Sequence, residues 1–543
     1  MRYTPTNKFI DGDNVYVHAR RDQFGINWIR VRVGTRLGPW QKQTAYRGKG
    51  FSPISALDAA GFNLTSEQFE ELREYVNALS AFAKATRFTA SGWNGKSFAL
   101  PDGEVLSLDE HTRSIVGFEP RECDASDAER HDEWMSDVAS PLAGCELPEF
   151  CLMATLVAPL LEFAPMPFNF GFELSGPPGT GKTTLAKVCA SAAGPIDGGS
   201  ASYIQTLNST INSLDATMSD FNDMPLILEE ANLLTLGAGK SADKRYAELI
   251  FRLAEGRSKR RFNQTEVSEA RFCWLATTNQ SWPVLARSLD ADIAQAVADR
   301  MITLPIPAVK HGGVYGTKGL ADRDLADLSR EVVTAAAEVH GTAIATFITH
   351  LLTQLKRIGR NGITDQVEHL IAEFIAAARE RSNDADDRLL RAFGLVYAAG
   401  SLATEAEALP NAFSPRKSTM RALRRHLRAR ASIKTPLQAL AEVAQSENAL
   451  DLRKKGRIGT EEAVEKASCV LKQRSGRVEL ILTAEHVAAL EIEVPRLLED
   501  PQVAALLRRE SGRRLIYRNV VPLMRQQVYV FRYDELMAKA KSG

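Results

Sequence analysis

The sequence predicts an α/β protein whose central domain is a parallel sheet with helices on both faces. Three observations predict it. Residues Gly176-Pro177-Pro178-Gly179-Thr180-Gly181-Lys182-Thr183 match the phosphate-binding pattern G-x-x-x-x-G-K-[ST] in full. An extended Phe168–Leu174 segment precedes this loop and a helix-compatible Thr184–Ala190 run follows it, as a strand–loop–helix unit requires. From about residue 166 to 308, strand-like runs alternate with helical patterns, the signature of a parallel sheet.

Composition sets the outer limits. The 543 residues suffice for roughly three or four domains. Lys plus Arg and Asp plus Glu both total 67, so any nucleic-acid surface has to be a local patch and not a global field. The N-terminus reads Met-Arg-Tyr-Thr-Pro, unlike a signal peptide. The longest apolar run, Cys151–Leu161, is interrupted by Pro159 and is too short to span a bilayer. The six cysteines include no C-x-x-C pair, so neither a zinc site nor a disulfide framework is expected. A cytoplasmic protein with no membrane partner is the expectation.

Residues 1–112 read as an N-terminal α/β domain. Ile29, Val31 and Val33 alternate with Arg30 and Arg32 as in a half-buried strand. Thr65 and Gln68 fit a capping box ahead of Phe69, Leu72, Val76 and Leu79. Gly92-Trp93 and Phe98–Gly103 suggest a strand closed by a turn. Residues 113–165 read as a helical connector and 166–308 as the ATPase core. Residues 309–405 form a helical lid with one apolar stripe through Ile344, Phe347, Ile348, Leu351, Leu352 and Leu355 and another through Val367, Leu370, Ile371, Phe374 and Ile375. Its Gly-rich start, 311–319, is a hinge candidate. A basic segment fills 406–435, and 436–543 reads as a winged-helix-like domain with β segments at Arg477–Leu482 and Val528–Tyr533.

The chemistry begins at the loop. Gly176, Pro177, Pro178, Gly179, Thr180, Gly181, Lys182, Thr183 and Thr184 form the expected nucleotide cradle, the glycines turning successive N–H groups inward at a phosphate. Lys182 can reach the β- and γ-oxygens of ATP, and the Thr183 hydroxyl is placed to hold Mg²⁺. An apolar strand, Pro225-Leu226-Ile227-Leu228, ends in Glu229-Glu230. Glu229 would share the Mg²⁺ shell and Glu230 would polarise the attacking water; the bland alternative is an acidic strand end facing solvent. A third strand, Phe272–Thr278, ends at Asn279, either a sensor beside the γ-phosphate or a turn former.

These pieces resemble the AAA+ ATPases, in which an extra strand separates the phosphate-loop strand from the Walker B strand and a neighbouring subunit completes the site. By that resemblance Arg300, before Met301–Pro305, is the arginine finger, with Arg287 as runner-up and helix capping as the structural alternative. Such a finger is worth about 10³–10⁵ in rate. The same resemblance implies that Arg388 is the second sensor in the lid, with Arg391 as its competitor on the same face. A closer resemblance runs over roughly 90–405: Gly92-Trp93, Phe98-x-Leu100-Pro101, Glu133-Trp134, Pro159-Leu160-Leu161, Asn208-Ser209-Thr210, Leu253–Arg261 and Ala398–Ala403 look like the family named as domain of unknown function 927. Its members occur in plasmids, prophages and other mobile elements. That family is similar to the minichromosome-maintenance helicases, which implies a hexameric ring moving along DNA. Two departures stand out: the loop has a Pro-Pro-Gly-Thr form where the family is Ser-rich, and Glu229 replaces the usual Asp, one methylene longer toward the metal.

Two basic segments could meet DNA, single-stranded or forked. Arg257, Lys259, Arg260 and Arg261 lie where ring helicases point a hairpin into the channel, or else line the subunit interface. Arg421, Arg424, Arg425 and Arg428 share a helix face at i, i+3, i+4 and i+7, where a solvated surface is the plainer reading. The leading functional expectation is an ATP-driven DNA helicase or translocase, a homo-oligomeric ring serving replication or transfer of a mobile element. Its rival is an AAA+ machine that remodels or loads a protein partner, and a third reading is a nucleotide-gated switch slowed by Glu229. No primase or nuclease motif is present, which leaves such activities to replication or defence partners.

Overall fold

A computed structural model describes residues 15–48, 52–109, 113–118, 130–197, 202–206, 218, 220–229, 242–256, 269–279, 291–316, 324–380, 385–431, 436–446, 448–453, 460–474, 476–483, 486, 501–509, 516–521 and 524–542. The chain divides into two compact units. One comprises Met1–Ala238, Arg245–Asn279 and Val297–Arg424; the other comprises Gly239–Lys244, Gln280–Ala296 and Arg425–Gly543.

The first unit opens on β1 (Val15–Arg21), β2 (Asn27–Val33), β3 (Arg36–Leu37) and β4 (Gln41–Lys42). β1 and β2 run antiparallel from Val15↔Val33 to Arg21↔Asn27. Alternation along the strands sends Val15, Val17, Ile29 and Val31 to one face. There α1 (Ser52–Ala59) and α2 (Ser66–Ala78) cover them with Leu57, Phe69, Leu72 and Val76. The capping box closes as expected: Gln68 N donates to Thr65 Oγ1 at 3.2 Å and Thr65 N donates to Gln68 Oε1 at 2.9 Å. β5 (Ala83–Lys84) adds to β1 in parallel. β6 (Thr86–Phe88) then leads into an antiparallel three-stranded sheet of β7 (Gly92–Asn94), β8 (Ser97–Ala99) and β9 (Val105–Ser107), and β10 (Ser114–Val116) returns to pair with β6.

After α3 (His131–Trp134) and α4 (Glu146–Thr155), the central sheet assembles from β11 (Phe170–Ser175), β12 (Ile204–Thr206), β13 (Leu226–Glu229), β14 (Cys273–Thr278) and β15 (Met301–Pro305). The intervening helices are α5 (Lys182–Ser191), α6 (Ala242–Glu255) and α7 (Ala291–Ala298). Strand order is β12-β13-β14-β11-β15, with every pairing parallel. The strand ending at Asn279 therefore lies between the loop strand and the strand ending at Glu229. All residues of β11 and β14 are buried, as sheets covered on both faces require. Gly171 makes that density possible, since a Cβ there would sit 2.3 Å from the Trp274 indole.

Both apolar stripes of the helical region fall on one element, α9 (Thr342–Arg379), which follows α8 (Leu325–Glu338) and is kinked at Gly359, where φ is 73°. α10 (Asp387–Glu405) packs along it, and the basic helix α11 (Pro415–Ala431) follows. In the second unit α12 (Pro436–Gln445), β16 (Leu450–Asp451), α13 (Glu461–Lys466), β17 (Val470–Arg474), β18 (Arg477–Leu482), α14 (Pro501–Leu506), β19 (Ile516–Val521), β20 (Met524–Arg532) and α15 (Tyr533–Ser542) build a five-stranded sheet in the order β16-β17-β18-β20-β19. Leu440, Leu480, Leu506 and Phe531 centre its core. Among the described residues no single helix is long and apolar enough to cross a membrane.

Candidate active site

The glycine-rich loop leaves the C-terminal end of β11 and turns into α5. Gly179 and Gly181 take φ of 78° and 89°, left-handed conformations that other residues resist, and Gly181 is the cap from which α5 starts. Pro177, Pro178 and Gly179 are exposed, while Thr180 is buried and its hydroxyl donates to Pro177 O at 2.9 Å. Lys182 is only 8 % exposed, and its ammonium is folded back onto the loop. It donates to the carbonyls of Gly176 at 2.6 Å and Pro177 at 2.8 Å. A cation held by two loop carbonyls at a helix N-terminus fits a phosphate, whose oxygens can replace those bonds with full charges.

Strand register brings the expected partners to the same edge. Ser175 pairs with Thr278 and Leu228 with Ala276, so Glu229, Asn279 and Gly176 all emerge at the C-terminal ends of adjacent parallel strands. Neighbouring strands lie about 4.8 Å apart, which puts the β13 end roughly 10 Å across the sheet from the loop strand. Glu229 is half-buried, Asn279 and Thr183 are exposed, and Thr184 is half-buried. Glu230, Arg257, Lys259, Arg260, Arg261 and the alternative finger Arg287 lie outside the described residues, as does Asn208-Ser209-Thr210.

Arg300 and Arg388 are at the other end of the sheet. Arg300 lies 4.7 Å from the centre of the Phe168 ring and Arg388 lies 5.9 Å from that same ring, with Phe251 5.2 Å from Arg300 on a second side. Phe168 precedes β11, whereas the loop follows it. The two arginines are thus brought to each other and not to Lys182. Arg391, the competitor, is held in a two-point pair with Glu368 at 2.9 and 2.6 Å. Sequence reading missed the ring that gathers Arg300 and Arg388; an aromatic two residues ahead of a loop strand was the available signal.

Three further features support the site. Buried Glu173, mid-strand in β11, accepts from Tyr246 at 3.0 Å and from Thr303 at 2.7 Å, tying α6 and β15 to the loop strand. The described part of the hinge candidate, 311–316, is anchored: Val314 N donates to Thr180 O at 2.9 Å, and a Cβ on Gly313 would meet that oxygen at 2.5 Å, while 317–319 lie outside the described residues. The Gly92-Trp93 pair clasps the strand starts opposite the loop. Trp93 N donates to Asp223 Oδ2 at 3.0 Å, its indole donates to Pro159 O at 2.9 Å, and a Cβ on Gly92 would lie 2.5 Å from the same carboxylate. Arg271 grips Asp223 through two bonds of 3.0 Å and also pairs with Glu162. Burial nevertheless pushes the Asp223 carboxyl up to about 6, against the pull of Arg271.

On the basic helix α11, Arg421, Arg424 and Arg428 are exposed and Arg425 is half-buried, while Met420, Leu423 and His426 face inward. Arg421 is engaged by Glu146 at 2.9 and 3.1 Å, so its charge is partly spent.

Residues 23–270 match the family model of a domain of unknown function, DUF927. No curated protein matches the chain. Among solved structures, the chain is similar to one described as SCCmec type IV Cch, an active helicase, with 13 % identity, a TM-score of 0.58, and coverage of 98 % of this chain and 97 % of that one. A second, the apo C-terminal region of NrS-1, gives 10 % identity over 72 % of this chain and 87 % of that one, with a TM-score of only 0.24. The fold of the chain, a mixed α/β arrangement around a parallel sheet, is therefore similar to that of a helicase structure along nearly its whole length, and its residues 23–270 match domain of unknown function 927.

Proposed function

We propose that the chain is an AAA+ ATPase that acts as a DNA helicase or translocase of a mobile genetic element, working in the cytoplasm as a homo-oligomeric, hexameric ring. One observation carries the reading: the strand order β12-β13-β14-β11-β15 aligns the Lys182 loop, Glu229 and Asn279 on one sheet edge, with Arg300 and Arg388 at the opposite one. A site split in this way is completed by a neighbour. Lys182 and the loop amides of Gly176–Thr184 would bind the phosphates of ATP, Thr183 and Glu229 would hold Mg²⁺, and Glu230 and Asn279 would orient the attacking water. Mg²⁺ would supply neutralisation of charge on the phosphate oxygens. Arg300 and Arg388 of an adjacent subunit would stabilise the charge that develops on the transferred group.

DNA is the proposed track, met by the 257–261 segment and by the exposed face of α11. The fold similarity to a helicase structure supports this over the rival, an ATPase that remodels a protein partner. The second unit is read as winged-helix-like, on the strength of α12 and α13 preceding the β17–β18 hairpin. Steady-state ATP hydrolysis with and without single-stranded DNA, at two salt concentrations, tests the proposal. Strong, salt-sensitive stimulation is expected. Hydrolysis indifferent to DNA would favour the protein-remodelling reading, and nucleotide binding without turnover would favour a switch.

A further inference from the structure

The face of the N-terminal sheet opposite α1 and α2 has no part in the nucleotide site. Alternation places Tyr16, His18 and Arg20 of β1 there, beside Arg30 and Arg32 of β2, because Val15, Val17, Ile29 and Val31 take the other side. Aromatic rings are interleaved with these charges. Arg32 lies 4.0 Å from the Tyr16 ring centre, and Trp40 has Arg20 at 4.8 Å and Arg30 at 5.8 Å. Arg87 lies 4.4 Å from Trp28.

Charge is segregated across this layer. Residues 15–47 hold seven Lys and Arg against one Asp, while 52–79, which carry α1 and α2, hold five Asp and Glu against one Arg. The lone Asp22 is occupied within its own turn, accepting from Phe24 N, Ile26 N and the Trp28 indole. Among the described residues no carboxylate pairs with Arg20, Arg30, Arg32 or Arg87, and Nε of both Arg32 and Arg87 is buried without a hydrogen-bond partner. Burial, then the charges of Arg113 and Arg30, push the Arg20 guanidinium down to about 10. Burial and the surrounding Arg20, Arg32 and Arg30 hold the His18 imidazole below its ordinary value. Like charges crowded with no counterion among the described residues attract a polyanion, and half-buried Trp40 and Tyr16 offer stacking faces among them.

We infer that this sheet face is a binding surface for single-stranded DNA, its arginines meeting phosphates and its Trp40 and Tyr16 rings stacking bases. Duplex recognition in the grooves does not need aromatic platforms, and a lipid surface would not reward them with stacking; a flexible single strand uses both features. The surface uses none of residues 257–261 and none of α11, and it does not depend on ATP turnover.

The test uses the full chain without nucleotide and reads binding of a fluorescein-labelled oligo-dT by anisotropy across salt. Arg30→Gln with Arg32→Gln should weaken binding and reduce the slope of log K against log salt by about 1.4, at roughly 0.7 for each phosphate no longer neutralised. Arg30→Lys with Arg32→Lys should retain the slope, because point charges suffice for phosphates. Trp40→Ala should weaken binding about tenfold with the slope unchanged, as removal of one stacked base would. Glu67→Gln with Glu71→Gln on α2 should change nothing, and circular dichroism of each variant checks folding. Wild-type affinity and slope in both the double Gln variant and Trp40→Ala would overturn the assignment. So would an equal weakening for duplex DNA, RNA or anionic phosphatidylserine vesicles, which would mark a general polyanion surface. Binding that survives in a chain with no ATPase activity would leave this inference standing and remove the helicase reading instead.

Discussion

Arg300→Ala should abolish ATP turnover while leaving nucleotide binding intact, and its partner experiment is a mixture with Lys182→Ala. β11 has six residues. At about 3.3 Å each its ends are roughly 17 Å apart, with Phe168 beyond one end and the Lys182 loop beyond the other. No arginine side chain spans that distance, so Arg300 cannot serve the loop of its own chain. Arg300→Ala subunits keep the loop and Lys182→Ala subunits keep the arginine. In a randomly mixed ring with head-to-tail interfaces, a site is whole when the first kind supplies the loop and the second the finger, about one quarter of sites at equal mixing. Each variant alone should be inactive, and the mixture should recover about a quarter of wild-type turnover in a phosphate-release assay. No recovery, with both variants folded and co-assembling by size-exclusion chromatography, would refute the trans assignment. Undiminished turnover in Arg300→Ala alone would refute any catalytic role.

Two further outcomes follow from the packing. The Asp223 carboxyl has its pKa raised from about 3.9 in the unfolded chain to about 6, so the folded state holds the proton more tightly. Its contribution to stability is then full below about pH 4 and is lost as pH rises through 6; a shift of about two units is of order 3 kcal/mol. Urea unfolding of wild type and Asp223→Asn across pH 4 to 7 should show the wild type losing ground by that amount, and parallel curves would refute it. Gly171→Ala should destabilise by about 3 kcal/mol, because its methyl would enter the Trp274 indole in a fully buried sheet. A destabilisation below about 1 kcal/mol in the same assay would show that the sheet can give way there.

Much of this architecture is written locally. The glycine-rich loop, the Thr65–Gln68 capping box and the alternation of β2 depend on residues within a few positions of one another, and each is present as read. What a linear reading loses is the meeting of distant residues. Nothing near Arg300 or Arg388 announces that they share the Phe168 ring, since 132 and 220 residues of chain separate it from them. Glu173 looks like a misplaced charge in an apolar strand until Tyr246 and Thr303 are seen on its oxygens. The arginines of β2 read as the solvent side of an ordinary strand, because the rings that face them come from β1 and from Trp40. The two apolar stripes of α9 lie on either side of Gly359, whose non-helical backbone breaks their phase.

The turn at Gly312–Val314 gives the molecule a short mechanical path. Its Val314 amide is fastened to the Thr180 carbonyl, and its side chain fills the space beside Gly181, where a Cβ would come within 2.7 Å. A cradle that tightens around an anion has to drag this strap with it, and the strap is the first stretch of chain on the way to the helices beyond residue 324. The turn and the cradle are thus coupled twice, once through a backbone hydrogen bond and once through the Val314 side chain. A bulkier residue at 314 would press on the loop at Gly181, where the space is already filled.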